Sequence, residues 1–436
     1  MQKAKLTFWQ LWNISFGFFG VQIAYSLQSA NISRIFATLG ADPHSLSFFW
    51  ILPPLMGMIV QPLVGKYSDR TWCRFGRRIP YLFLGSIIAI AVMCLLPNAG
   101  NFNLAFTGAM IFGLVALMLL DTSINMAMQP FKMLVGDMVS DEQKSQAYSI
   151  QSFLVNAGGL VGFIFPFLFA WIGIANTAPE GQVPDTVKYS FYIGSLILIL
   201  CVLFTTFKVK EMPPKEYAEF HGIDTQAKKD EAAPGMLTLL KKAPSTFWTV
   251  GLVQFFCWAA FLYMWTYTNG AIADTVWGTT DVKSEGYQTA GNWVGILFAL
   301  QSVGSVLWAL IIPKFKSIKT AYVVSLLIGA AGFASVFFIH DQYLLFISFL
   351  LIGVAWAAML AIPFTLLTNS LSGDHIGTYL GLFNGTICLP QIVAAACGGF
   401  VLKMVGGAQV SMFIVAGVLL VCGAVAVYFV KGKSKA

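Results

Sequence analysis

GKYSDRTWCRFGRRIP, residues 65–80, packs Asp69, Arg70, Arg74, Arg77 and Arg78 around Gly76 between two long apolar runs, 46–66 and 80–97. A bilayer core about 30 Å thick takes roughly 20 apolar residues per helical span, so the stretch reads as a short basic loop joining two spans. Working outward from it, similar runs recur at 8–30, 102–129, 147–174, 189–207, 247–268, 289–312, 320–339, 342–368, 377–402 and 408–430, twelve cores in all. The composition agrees: 57% of the 436 residues are hydrophobic and only 10% charged, with a mean hydropathy of +0.75, against about 25% charged residues in soluble domains. The chain reads as an all-α integral membrane protein.

Orientation follows from the basic residues, because short cytoplasmic loops retain Lys and Arg. With the N-terminus inside, 22 of the 26 Lys and Arg residues fall on the inner side, and only Arg34, Lys188, Lys283 and Lys403 fall outside. Both termini are therefore placed in the cytoplasm of a cell bounded by a plasma or bacterial inner membrane. The same loops account for the net charge of +7 without a nucleic-acid partner. The first run is long and has no small-residue cleavage site, so it reads as a retained span. The seven cysteines form no C-x-x-C pair and the four histidines are scattered; no metal site and no cofactor are expected. No zinc-protease, phosphate-loop or Ser/His/Asp pattern stands out, so an enzyme or sensor is disfavoured.

The one long polar interruption, 208–245, divides the chain into six spans and six: residues 1–207, the linker, and 246–436. QPFKMLVGDMVS (129–140) and IPFTLLTNSLSG (362–373) both close an even-numbered span with P-F-x-x-L, an echo at equivalent places in the two parts. Two pseudo-symmetric six-helix bundles of this kind describe the major facilitator fold. Asp-Arg followed by R-x-G-R-R in the 65–80 loop resembles the loop signature of that superfamily. The resemblance implies that Asp69, Arg70, Arg74, Gly76, Arg77 and Arg78 form a cytoplasmic gate, with the acid meeting a helix N-terminus and arginines of the other half. The residue types alone are also explained as a positive-inside anchor.

A narrower resemblance lies in GVQIAYSLQSANISRIFATLGADPH (20–44), FFWILPPLMGMIVQPLVGKYSDR (48–70), LLDTSINMAMQPFKMLVGDMV (119–139) and GLFNGTICLPQIVAAACGG (381–399). In this order they are similar to the plant sucrose/proton symporters and their animal and bacterial relatives, the glycoside-pentoside-hexuronide cation symporter group. The resemblance implies that Asp121 is the fourth-span acid of proton-coupled transport and that His44 lies near the sugar path. The chain departs from the plant pattern in span seven, where MWTYTNGAIADT (264–275) keeps only Asp274, and in span five, where SFLVNAGGLVGFIFPFLF (152–169) has no arginine.

The residues themselves single out Asp121 as well. The other acids sit in loops or near span ends, whereas Asp121 is well inside span four, followed at i+4 and i+8 by Asn125 and Gln129 on one helical face. An ionised carboxylate at the bilayer centre costs several kcal/mol, so the residue faces water, carries a proton for part of its cycle, or pairs with a donor on another span. Cation coupling, direct sugar binding and a structural role remain open on these grounds. Sugar recognition needs hydroxyl-matching amides and flat apolar faces. Span one offers Gln22, Tyr25, Gln28 and Asn31, span seven offers Gln254, Trp258 and Trp265, and span eleven offers Asn384 and Gln391. Each of these is equally explained by helix–helix hydrogen bonding or interfacial anchoring. The reading that joins these features is a monomeric secondary active transporter in the lipid bilayer, taking a disaccharide such as sucrose or maltose together with a proton by alternating access. An uncoupled facilitator and a sodium-coupled transporter are the alternatives.

Overall fold

The computed structural model of the chain describes residues 5–102, 106–213, 216, 217, 219, 236–368, 370, 379 and 382–430. These residues are almost wholly helical, and no β-strand occurs among them. The elements are α1 (Phe8–Thr38), α2 (Leu46–Phe49), α3 (Leu52–Arg70), α4 (Ile79–Leu95), α5 (Phe106–Met138), α6 (Asp141–Trp171) and α7 (Asp185–Lys208), followed by α8 (Met236–Lys241), α9 (Ser245–Trp277), α10 (Glu285–Ala309), α11 (Ile318–Phe338), α12 (Leu345–Thr368), α13 (Gly385–Met404) and α14 (Ser411–Ala426). Eleven spans among the described residues are long and apolar enough to cross a membrane. The first helix has the length but not the apolarity, because Gln22, Gln28, Asn31 and Arg34 interrupt it. At 31 residues it is about 46 Å long.

Local chemistry sets the helix ends. Gly278 closes α9 in the left-handed region, φ 63°, with its N–H returned to the carbonyls of Ala273 and Asp274; glycine takes this conformation without a Cβ penalty. The Ser284 hydroxyl accepts the Tyr287 N–H at 3.2 Å and so opens α10. Pro62, Pro130, Pro166, Pro363 and Pro390 all lie inside helices, a placement that membrane helices tolerate because neighbours satisfy the freed carbonyls. The echoed Pro130 and Pro363 therefore sit within α5 and α12 near their C-terminal ends.

The expected edge of span one needs correction. The helix continues past residue 30 to Thr38, and Arg34, assigned by sequence to the outer loops, is a fully buried helical residue. Its polar neighbours make the segment read as loop, yet they have partners more than two hundred residues away that offset the cost of burial. Much of the 208–245 linker, together with His221, His375, Gly377 and Gly381, lies outside the described residues.

The chain clusters into two compact units. One comprises Met1–Ser29, Met56–Phe165 and Thr186–Pro234; the other comprises Ala30–Leu55, Pro166–Asp185 and Gly235–Ala436. Each is held by close helix crossings at small residues. In the first unit α6 lies on α1, and a Cβ at Gly162 would come within 2.7 Å of the Ile23 carbonyl oxygen. In the second, α10 and α12 cross at Gly304 and Gly353, each packed against a carbonyl of the opposite helix, those of Leu350 and Gln301.

Candidate functional site

In the first unit, α5 carries Asp121 at 2% exposure. Its Oδ1 accepts a short hydrogen bond from Gln28 Nε2 on α1, and its Oδ2 has no partner among the described residues. Among the described residues, no basic side chain pairs with the carboxyl. The carboxylate is thus buried at membrane depth with one neutral donor and no countercharge, a costly state unless the group carries a proton or meets water.

Asn125, one turn below, does not add a donor to this carboxyl. Its Nδ2 folds back to the Asp121 carbonyl oxygen at 2.9 Å, and its Oδ1 accepts from Gln61 Nε2 on α3 at 2.6 Å. Gln61 Oε1 accepts in turn from Lys132 Nζ at 3.2 Å. This thread fixes both amides and ties α3 to α5. Gln129 lies against Gly65, and Gln22 lies against Gly158 and Gly159 at the α1–α6 crossing. Tyr25 is half-buried, and its carbonyl accepts from Ser29 Oγ at 2.8 Å.

The 65–80 loop of the same unit is a network centred on Arg78. Its buried guanidinium bonds Asp69 Oδ1 and Ser68 Oγ at 2.5 Å each and Asp137 Oδ2 at 2.9 Å. Arg77 pairs with the same Asp137 oxygen at 2.9 Å and stacks 3.7 Å above the Tyr217 ring. Gly76, at φ 112°, permits the tight turn in which Cys73 and Gly76 exchange backbone hydrogen bonds at 3.0 and 3.1 Å. Glu211, just beyond α7, places Oε1 on the N-terminus of α4, accepting the N–H groups of Arg78 and Ile79 at 2.8 Å. Burial raises the Glu211 carboxyl above its ordinary value, although the backbone donors and the Arg77 charge pull it back down. The partners shown for Asp69, Arg77 and Arg78 thus belong to the same unit as the loop. The acid at the helix N-terminus is Glu211, where the family resemblance points to Asp69. Arg70 and Arg74 are exposed.

In the second unit, Trp258 and Trp265 of α9 meet two tryptophans that the sequence did not single out. Trp356 of α12 lies 5.6 Å from Trp258 and 5.8 Å from Trp265, and Trp50 stacks on Trp265 at 6.1 Å. Trp50 is fixed by its Nε1–H, which donates to Ser33 Oγ at 3.0 Å. The buried Nε1 of Trp258 and Nε2 of Gln254 have no partner among the described residues, while Gln254 Oε1 accepts from Tyr322 at 3.4 Å. Flat aromatic faces beside unpaired N–H donors suit a ligand with apolar ring faces and hydroxyl rims. Asn31 is also buried in this unit. Asn384 and Gln391 bond within their own helix, Asn384 to Cys388 Sγ at 3.8 Å and Gln391 to the Ile387 carbonyl at 3.0 Å. His44 sits in the turn before α2, its N–H bonded to Asp42 Oδ1 at 2.7 Å, and its carbonyl packs on Gly399.

With this geometry in place, similarity to known proteins narrows its meaning. Residues 15–405 match the family described as MFS/sugar transport protein. The chain is 22% identical to the sucrose transport protein SUT1 of Oryza sativa subsp. japonica over 463 aligned positions, covering 95% of this chain and 86% of the relative. It is 25% identical to the general alpha-glucoside permease of Schizosaccharomyces pombe over 57% of this chain and 46% of the relative. Among solved structures, a D-xylose-proton symporter superposes with a TM-score of 0.69 at 16% identity, covering 98% of this chain and 97% of that one; at that identity the likeness speaks for the fold.

Proposed function

The chain belongs to the MFS/sugar transport protein family, and from that premise we propose that it moves a disaccharide or related glycoside together with a proton, by alternating access, with both termini in the cytoplasm. It is a sugar transporter with the major facilitator fold, and it is not an enzyme. The observation that carries the coupling is the environment of Asp121: a buried carboxyl with, among the described residues, a single amide donor and no cation beside it. A proton is the one ligand that removes the cost of that charge without needing a further coordination shell. Opening the site to water supports the other half of the cycle, because hydration then stabilises the ionised form and releases the proton.

The disaccharide reading draws on the sucrose and alpha-glucoside names of the two relatives and on the second unit's tryptophans. Trp258, Trp265 and Trp356 gather three aromatic rings within 5.6–6.4 Å of one another, the kind of surface that pairs with the apolar faces of sugar rings. The Arg78 network supports the role of the 65–80 loop as cytoplasmic gate: it binds the ends of α3, α4, α5 and α7 through one guanidinium, a shared aspartate and Glu211. In proteoliposomes, an inwardly directed proton gradient should drive sucrose or maltose uptake, and a protonophore should abolish accumulation while leaving exchange. Uptake indifferent to both would overturn symport and leave an uncoupled facilitator.

A further inference from the structure

Arg34 takes no part in the site described above, yet among the described residues of the second unit it is a fully enclosed charge. Its Nε donates to Gln288 Oε1 at 2.7 Å, its Nη1 to Asn292 Oδ1 at 2.8 Å and its Nη2 to Asn176 Oδ1 at 3.1 Å. The residue has no exposed surface. All three acceptors are neutral amides, and other bonds set their orientation. Gln288 spends its amide hydrogens on the Val282 carbonyl at 2.7 Å and Thr38 Oγ1 at 3.3 Å, and Asn292 donates to Asn176 Oδ1 at 2.9 Å. The Gln288 and Asn292 carbonyl oxygens are thereby turned toward the guanidinium. Gly291 makes room for it, since a Cβ there would lie 2.5 Å from Arg34 Cδ and 2.6 Å from Nε. Beside this socket an exposed ion pair, Lys283 to Glu180 at 2.7 Å, joins the 172–184 segment to the turn just before α10.

We propose that Arg34 and its amide socket form a reversible clasp on the outer side, which closes to seal the outside and opens once per transport cycle. The proposal rests on the cytoplasmic N-terminus argued above, which places the Thr38 end of α1, the 172–184 segment and the start of α10 outside. The choice of amides suits a contact that must break. A guanidinium cannot shed its charge to escape burial, and the hydrogen bonds it makes here offset a desolvation cost of similar size. A carboxylate partner would leave an uncompensated anion whenever the clasp opened with its acceptor still buried. An amide leaves none, so the closed and open forms stay close in free energy, as a two-state element requires.

Spin labels at exposed Thr177 and Thr280, in a background with the seven native cysteines replaced, report the clasp directly by pulsed dipolar distance measurement. The unmodified socket should give a short-distance population, and Arg34→Gln should shift the short-to-long ratio at least tenfold toward long. Gly291→Ala crowds the same socket while leaving the arginine and its acceptors in the sequence, and an alanine favours the helix, so it should reproduce the shift in a folded protein. Unchanged distances in both variants would overturn the clasp, as would an unlabelled Thr177→Cys thiol that an impermeant thiol reagent cannot reach from outside the cell. Neither measurement needs sugar or a proton gradient. A distance shift in a protein that proves uncoupled would keep the clasp and discard the symport reading.

Discussion

Glu211 sets two physical effects against each other in one carboxyl, and its replacement tells which one wins. The side chain accepts two N–H groups at the buried start of α4, beside Arg77. A helix N-terminus favours an anion by about 0.3–1 kcal/mol, whereas burial penalises the charge. The net effect raises the folded-state value above the ordinary 4.5. The stability this group contributes is therefore fully present below the ordinary value and is lost as pH rises through the raised one. Glu211→Gln keeps a carbonyl oxygen for both N–H groups and removes the charge, so it should match wild type at acidic pH and exceed it in apparent Tm near neutrality. Glu211→Ala leaves two buried N–H groups unpaired at about 1–3 kcal/mol each, and should lose at least about 4 °C at every pH. Intrinsic-fluorescence melting in detergent from pH 4 to 8 reads all three proteins. A wild type more stable than Glu211→Gln at neutral pH would mean that the helix dipole and Arg77 outweigh burial, and would refute the reasoning.

Two further outcomes follow from the packing and the aromatic cluster. Trp258→Phe keeps most of the aromatic face but removes the unpaired Nε1–H; it should weaken sugar binding about tenfold by isothermal titration with little change in Tm, and an unaltered affinity would place the sugar elsewhere. Gly353→Val forces side-chain atoms against the Gln301 carbonyl at the α10–α12 crossing, which should cost about 1–3 kcal/mol from overpacking and lower both Tm and yield. A wild-type melting curve would contradict the close α10–α12 crossing at Gly353.

The spans were legible because 20-residue apolar runs and the inner-loop arginines are local properties. The turn at Gly76 was legible for the same reason, since R-x-G-R-R contains its own glycine. What escaped the sequence was partnership over distance. Arg34 read as an outer-loop charge because its three acceptors lie at 176, 288 and 292. Trp50 and Trp356 each looked like one aromatic among many, and only the packing of α9 and α12 makes a cluster of them. Asp137 lies within the quoted 129–140 stretch but outside its P-F-x-x-L echo, and Tyr217 and Glu211 carry no motif; an acid immediately after a span, facing a basic loop, is the signal that marks Glu211. Spacing also misled: Asn125 shares the face of Asp121, but its amide is committed to Gln61 and to backbone, while Gln28 on α1 supplies the donor. Asn384 and Gln391 sit seven residues apart on one helix, and both bond locally.

The central claim is that Asp121 couples sugar movement to a proton, and sugar-driven proton flux measures it most directly. With a pH dye trapped in proteoliposomes at equal pH on both sides, adding sucrose or maltose outside should acidify the lumen in wild type. Asp121→Asn, which keeps the size and the hydrogen bond to Gln28 but cannot ionise, should exchange labelled sugar across the membrane without acidification. Acidification in Asp121→Asn equal to wild type would contradict the account and return the residue to a structural role.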